Sequence, residues 1–118
     1  MNVIRILSRR YLPLERLDVA VAFHEKLIGQ KAGLRFDYGR LKLASVSSIL
    51  FIAGSEDDLK PYTATHLTFL VDDIHAYERH LPTTGAEIVE GVKTVPTGWN
   101  MLVRHPDDTL VEYVEHKA

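Results

Sequence analysis

The feature that most constrains this chain is an order of elements that occurs twice. Val3 to Tyr11 mixes β-formers with spaced polar residues and reads as a strand. Arg16 to Ile28 follows as a helix. Leu17, Ala20, Val21, His24, Leu27 and Ile28 fall at helical spacing, Phe23 widens the stripe, and Gly29 is a good stop. Leu34 to Tyr38, Leu41 to Val46 and Ile49 to Ala53 read as three strands, turned at Gly39-Arg40 and Ser47-Ser48 and closed by Gly54. The order then recurs. Thr65 to Val71 is a strand, and Asp72 or Asp73 can cap a helix carrying Ile74, Tyr77 and Leu81. Pro82 disfavours helical continuation. Glu87 to Val95, interrupted at Gly91, Trp99 to His105 and Thr109 to Glu115 are the last three strands. An offset of 57 residues lays Arg9 on His66, Arg16 on Asp73 and Leu17 on Ile74.

A single βαβββ half is too small to bury both faces of its sheet, so the halves must pack together. The expected fold is α+β: two βαβββ modules forming a curved mixed sheet with a concave ligand cup and helices on the convex side. The 118 residues make one domain, with modules at about 1–56 and 63–118. The polar stretch from Ser55 to Tyr62, with Pro61, reads as a linker loop.

Composition narrows the chemistry. Fourteen Lys and Arg against 16 Asp and Glu give a formal charge of -2, so no basic surplus points to nucleic acid or an anionic membrane. The absence of cysteine removes disulfides, thiolate metal sites and cysteine nucleophiles. The longest apolar run, Leu17 to Phe23, contains Asp18 and cannot span a bilayer. The first residues carry three arginines and lack the apolar core of a signal peptide, so a cytoplasmic location is expected. Gly85, Gly91 and Gly98 match no phosphate loop, and His24-Glu25 lacks the second histidine of a zinc-protease helix because Ile28 stands there.

Three segments, in order, carry a resemblance. Ala20-Val-Ala-Phe-His-Glu-Lys-Leu-Ile-Gly29 looks like a first helix, His66-Leu-Thr-Phe-Leu-Val-Asp-Asp73 like a fifth strand entering a second helix, and Arg104-His-Pro-Asp-Asp-Thr-Leu-Val-Glu-Tyr113 like a last hairpin. Together they resemble the vicinal oxygen chelate superfamily, the glyoxalase, bleomycin-resistance and extradiol dioxygenase group. The resemblance covers nearly the whole chain. It implies a homodimer and, in metal-using members, four ligands from the first and last strands of each half. His66 matches the third position and Glu112 the fourth. The first half departs from the pattern. Arg9 stands where the first ligand belongs, and a guanidinium does not bind a cation. The partner of Glu112 should lie near Phe51, where no side chain can ligate.

The expected site is therefore a cup around Phe51 with Arg9, His66, Asn100 and Glu112. Strand alternation sets His66, Thr68 and Leu70 on one side and Glu112 with Leu110 and Val114, which places His66 and Glu112 on the concave side. Arg9 either pairs with Glu112, meets a ligand's carboxylate or phosphate, or lies on a solvated edge. His66 with Glu112 is a candidate catalytic acid–base pair, against a structural hydrogen-bonded histidine. Asn100 shares a face with Leu102 and Arg104 and is the better cup residue than Trp99. The expected function is binding of a small molecule without the usual metal and without another cofactor. One alternative is a metal-dependent lyase or dioxygenase using His66 and Glu112 with a divalent ion. The other is a structural or regulatory dimer with a filled cup.

Overall fold

The computed structural model describes residues 1–118. They divide into two compact units, Leu7–Ala64 (the first module) and Met1–Ile6 with Thr65–Ala118 (the second module). Each holds one βαβββ motif, so the chain is α+β with the repeat its sequence announces.

In the first module, β1 (Val3–Leu12) is followed by α1 (Leu17–Ile28), β2 (Arg35–Tyr38), β3 (Leu41–Val46) and β4 (Ile49–Ala53). The strand order is β2-β3-β4-β1, with β1 parallel to β4 and the other pairs antiparallel. Gly29 ends α1 because it takes φ +79, which a side chain resists, while its N–H donates to the Glu25 carbonyl. The helix lays Leu17 and Val21 on Ala44, Val46, Phe51 and Ala53. This face is narrower than the hydropathy stripe implies. Phe23 and Leu27 are exposed, because apolar residues occupy too wide an arc of α1 for all of them to meet the sheet.

The segment read as a linker loop contains a short helix, α2 (Glu56–Leu59). Ser55 caps it by accepting from the Asp58 N–H at 3.1 Å, and Leu59 is buried beside Leu41. One capping serine and one apolar anchor suffice to order a stretch whose composition is otherwise that of a loop.

The second module comprises β5 (Thr65–Val71), α3 (Ile74–His80), β6 (Glu87–Val95), β7 (Gly98–Arg104) and β8 (Leu110–His116). Its order is β5-β8-β7-β6, with the first residues of β1 beside β5. Strand β1 thus serves both modules. Asp73 caps α3 by accepting from Ala76 N–H, and Glu115 of β8 accepts from Ile74 N–H at 2.9 Å, so two carboxylates hold the helix start. Ile74, Leu81, Met101, Val103, Val111 and Tyr113 form the core, with Trp99 packed against it. The break expected at Gly91 is a pair of register shifts in β6. Glu78 reaches it from α3 and accepts from the Val92 N–H at 2.9 Å.

No helix is long and apolar enough to cross a membrane.

Candidate functional site

Strand register decides which side chains share a face. In the second module the core lies under α3, and the opposite face carries the other half of each alternation. Lys93, Asn100, Val114 and Leu70 form one row across β6, β7, β8 and β5. The next row is Glu90, Leu102, Glu112 and Thr68, and the third is Glu87, Arg104, Leu110 and Thr65. Asn100 and Glu112 therefore stand on one face as diagonal neighbours, with the direct spacing expected for such pairs about 7–8 Å. Thr68 flanks Glu112 on the other side.

Asn100 is only 8% exposed, and its side chain makes no hydrogen bond to the protein. No fully enclosed side-chain nitrogen or oxygen lacks a partner, so the Asn100 carboxamide opens to solvent through a small window. Such a group is costly to enclose without a partner and is poised to exchange water for one. Glu112 is half-buried between Leu102 and Thr68. Sequence alternation placed both residues on this face, and the structure agrees.

His66 does not follow. The register runs Thr65 to Leu110 and then Leu67 to Val111, which leaves His66 as the extra residue of a bulge. It is exposed, while Thr65 is buried. The alternation that would align His66 with Thr68 and Leu70 is interrupted there, so the inward positions of β5 are Thr65 and Thr68. Thr65 and Lys93 were missed for the same reason: bulges in β5 and β6 shift parity, and nothing in the residue types marks where.

In the first module, β1 places Arg9 and Tyr11 opposite Leu50 and Ile52, on the face away from α1. Arg9 is half-buried and donates to the Tyr11 hydroxyl at 3.0 Å, which in turn donates to the Tyr62 carbonyl at 2.6 Å. Arg9 is thus held within the fold, not on a solvated edge. Phe51 takes the other face. It pairs with Arg10 and Ala44, is 2% exposed, and packs under α1 with its ring 4.9 Å from that of His24. It is a core residue and lines no cup. The β4 position matching Glu112 is Ile52, since Tyr11 pairs with Ile52 as Thr68 pairs with Glu112.

The aromatic residues of the last hairpin are structural. Tyr113 packs with Phe69, Tyr77 and His105, and its hydroxyl lies 2.8 Å from His105 Nε2. Burial pushes the Tyr113 phenol up to about 12. Asp107 accepts from the Thr109 N–H in the turn, which lowers its pKa.

Among solved structures, an uncharacterized protein from Methanosarcina mazei matches at 44% identity and a TM-score of 0.89, over 99% of this chain and 95% of that one. The chain belongs to the same family as that protein. Methylmalonyl-CoA epimerase from Mycobacterium tuberculosis matches at 20% identity and TM-score 0.69, over 98% of this chain and 90% of that one. A variant of the Streptomyces coelicolor epimerase, in complex with 2-nitronate-propionyl-CoA, matches at 15% and 0.70, over 99% and 100%. At those identities the likeness is one of fold. No protein-family model and no curated protein matches the sequence.

No group of three or more His, Asp and Glu side chains is arranged to take an ion. In the second module Glu112 has Thr68 and Leu102 as its strand neighbours, and His66 lies in the bulge. In the first module the corresponding strands present Arg9, Tyr11, Leu50 and Ile52.

Proposed function

We propose that this protein binds a small molecule on the face of the second module that carries Asn100, Glu112 and Thr68, without a metal ion. The observation that supports this most directly is Asn100: a nearly buried carboxamide with no protein partner and a narrow opening to solvent. A carboxamide both donates and accepts, so it fixes the orientation of a ligand that carries a carbonyl or amide. Leu70, Leu102 and Val114 supply apolar surface around it, and Lys93 at the rim would meet an anionic group. Glu112 would hydrogen-bond the ligand or exchange a proton with it. The fold neighbours include enzymes named for a CoA thioester, which makes acyl thioesters and their free acids the first compounds to try.

The test is a thermal-shift screen of short-chain acyl-CoA thioesters and the matching carboxylic acids, followed by calorimetric titration of hits. A hit should weaken by about tenfold or more in Asn100→Ala and in Glu112→Gln, since a lost hydrogen bond to a buried polar group costs about 1–3 kcal/mol. A hit unaffected by both substitutions would overturn the assignment of this face. Metal analysis of protein purified without chelator gives a second check. About one transition metal per chain, lost in His66→Ala, would overturn the metal-free reading.

A further inference from the structure

Strand β6 is the outer edge of its sheet. It pairs with β7 on one side and with no strand on the other. Ile88, Val89, Val92, Thr94 and Val95 make it rich in β-branched residues. A long edge of this kind presents unpaired N–H and C=O groups, on which a strand from another molecule can build. One of those donors is already taken. Val92 has no partner in β7, and its N–H donates to Glu78 Oε2 of helix α3 at 2.9 Å. Gly91 makes that approach possible. A Cβ built there would lie 3.2 Å from the same carboxylate oxygen, so a side chain would push it back. The helix presents the carboxylate from a fixed place. Its start is tied by Asp73 and Glu115, and Ile74 and Tyr77 pack it into the core.

We propose that Glu78 guards this edge: by holding the Val92 N–H, it denies an incoming strand a donor near the middle of β6. The register identifies the donors at stake. In an antiparallel ladder, successive residues turn their N–H alternately toward the partner strand and away from it. Lys93, Thr94 and Val95 pair in unbroken register with Asn100, Trp99 and Gly98. Val92 points outward, as its bond to Glu78 shows, so Thr94 two residues on points outward as well. A strand added here needs both donors. To reach Val92 it must displace a charge-assisted hydrogen bond, about twice as strong as a neutral one. Its own carbonyl oxygen would also face the Glu78 carboxylate. The bulges between Ile88 and Lys93 bend the same stretch and further spoil it as a template. The guard acts at the outer edge of β6 and does not rest on the ligand reading, whose residues project from the face of the sheet.

Amide hydrogen exchange of the full chain, followed residue by residue by NMR and corrected for intrinsic rates, reads the guard directly. Val92 should exchange roughly tenfold or more slowly than Thr94, the scale of a hydrogen bond to a charged group. Glu78→Ala should erase most of that difference. Glu78→Gln should keep most of it, because a carboxamide oxygen still accepts. In sedimentation velocity, Glu78→Ala should assemble beyond the parent at equal concentration, with an unchanged circular dichroism spectrum. Adding Thr94→Pro should remove the extra assembly, since proline deletes the second outward donor and no bond to β7. Equal exchange of Val92 and Thr94 in the parent, exchange indifferent to Glu78→Ala, or no extra assembly would each overturn the proposal. Extra assembly that survives Thr94→Pro would overturn it too. Should Glu78→Ala fail to fold, the parent's two exchange rates and Glu78→Gln still decide. Failure here would leave the Asn100-dependent ligand shift intact, so the two readings are separable.

Discussion

Gly98→Ala tests how β7 is held in register, and with it the placement of Asn100 two residues on. Gly98 opens β7 with φ +149, a region that L side chains rarely adopt, and it pairs with His116. A Cβ built there would lie 2.0 Å from the Glu115 carbonyl oxygen, where side-chain rearrangement gives no relief because the obstacle is backbone. Two costs add. The backbone conformation alone costs about 1–3 kcal/mol. Relieving the overlap requires β7 and β8 to part by about 1 Å, which weakens one or two ladder hydrogen bonds at about 0.5–1.5 kcal/mol each. The sum is about 1.5–6 kcal/mol, or roughly 6–24 °C in Tm for a chain of this size. Gly39→Ala is the control, because Gly39 also has positive φ (+57) but nothing within 4 Å of a built Cβ. It should cost only about 1 kcal/mol, the left-handed penalty less the entropy lost from the unfolded chain. Urea denaturation of both variants against the parent gives the comparison. If Gly98→Ala matched Gly39→Ala within about 1 kcal/mol, the close backbone approach at the start of β7 would be refuted as the reason for glycine.

Two further substitutions follow from groups already described. Tyr113→Phe should alter the alkaline limb of stability: the Tyr113 pKa is raised in the folded state to about 12 against an ordinary value of 10.0, so the parent loses stability as pH rises from about 10 to 12. The variant should lack roughly 1–2 kcal/mol of that loss, measured as the parent-minus-variant difference in unfolding free energy across the window; a constant difference would refute it. Glu115→Ala should cost about 1 kcal/mol by uncapping the Ile74 N–H, read by urea denaturation, with Glu115→Gln recovering part of it.

Much of the fold was legible along the chain because each local signal agreed with the next. The bounds expected for β3, β4, β5 and β6 coincide with those observed, since each run is rich in β-formers and ends at a turn residue or cap. Alternation also sorted Asn100 and Glu112 correctly, because β7 and β8 keep their pairing without a shift. Phe51 was harder. Four of the five residues of β4 are buried and all are apolar, so the strand is covered on both faces and hydropathy carries no parity signal. His66 failed for a different reason: a bulge adds one residue to β5, and the side chain predicted from a period of two is displaced from its face.

The amino-acid order by itself determined the doubled βαβββ plan, the absence of thiol chemistry, and the scarcity of metal-binding side chains in the first half. These depend on residue type and local spacing, which can be read one position at a time. Only the tertiary structure decided that Thr65 and Thr68, not His66, flank the Glu112 strand on the Asn100 face. It also decided that Asn100 is nearly enclosed yet unpartnered, and that Val19, Phe23 and Leu27 are left outside the core. Those outcomes depend on which strands pair, in what register, and how much of a helix a four-stranded sheet can cover. They are set by contacts between residues distant in the chain, which no local pattern encodes.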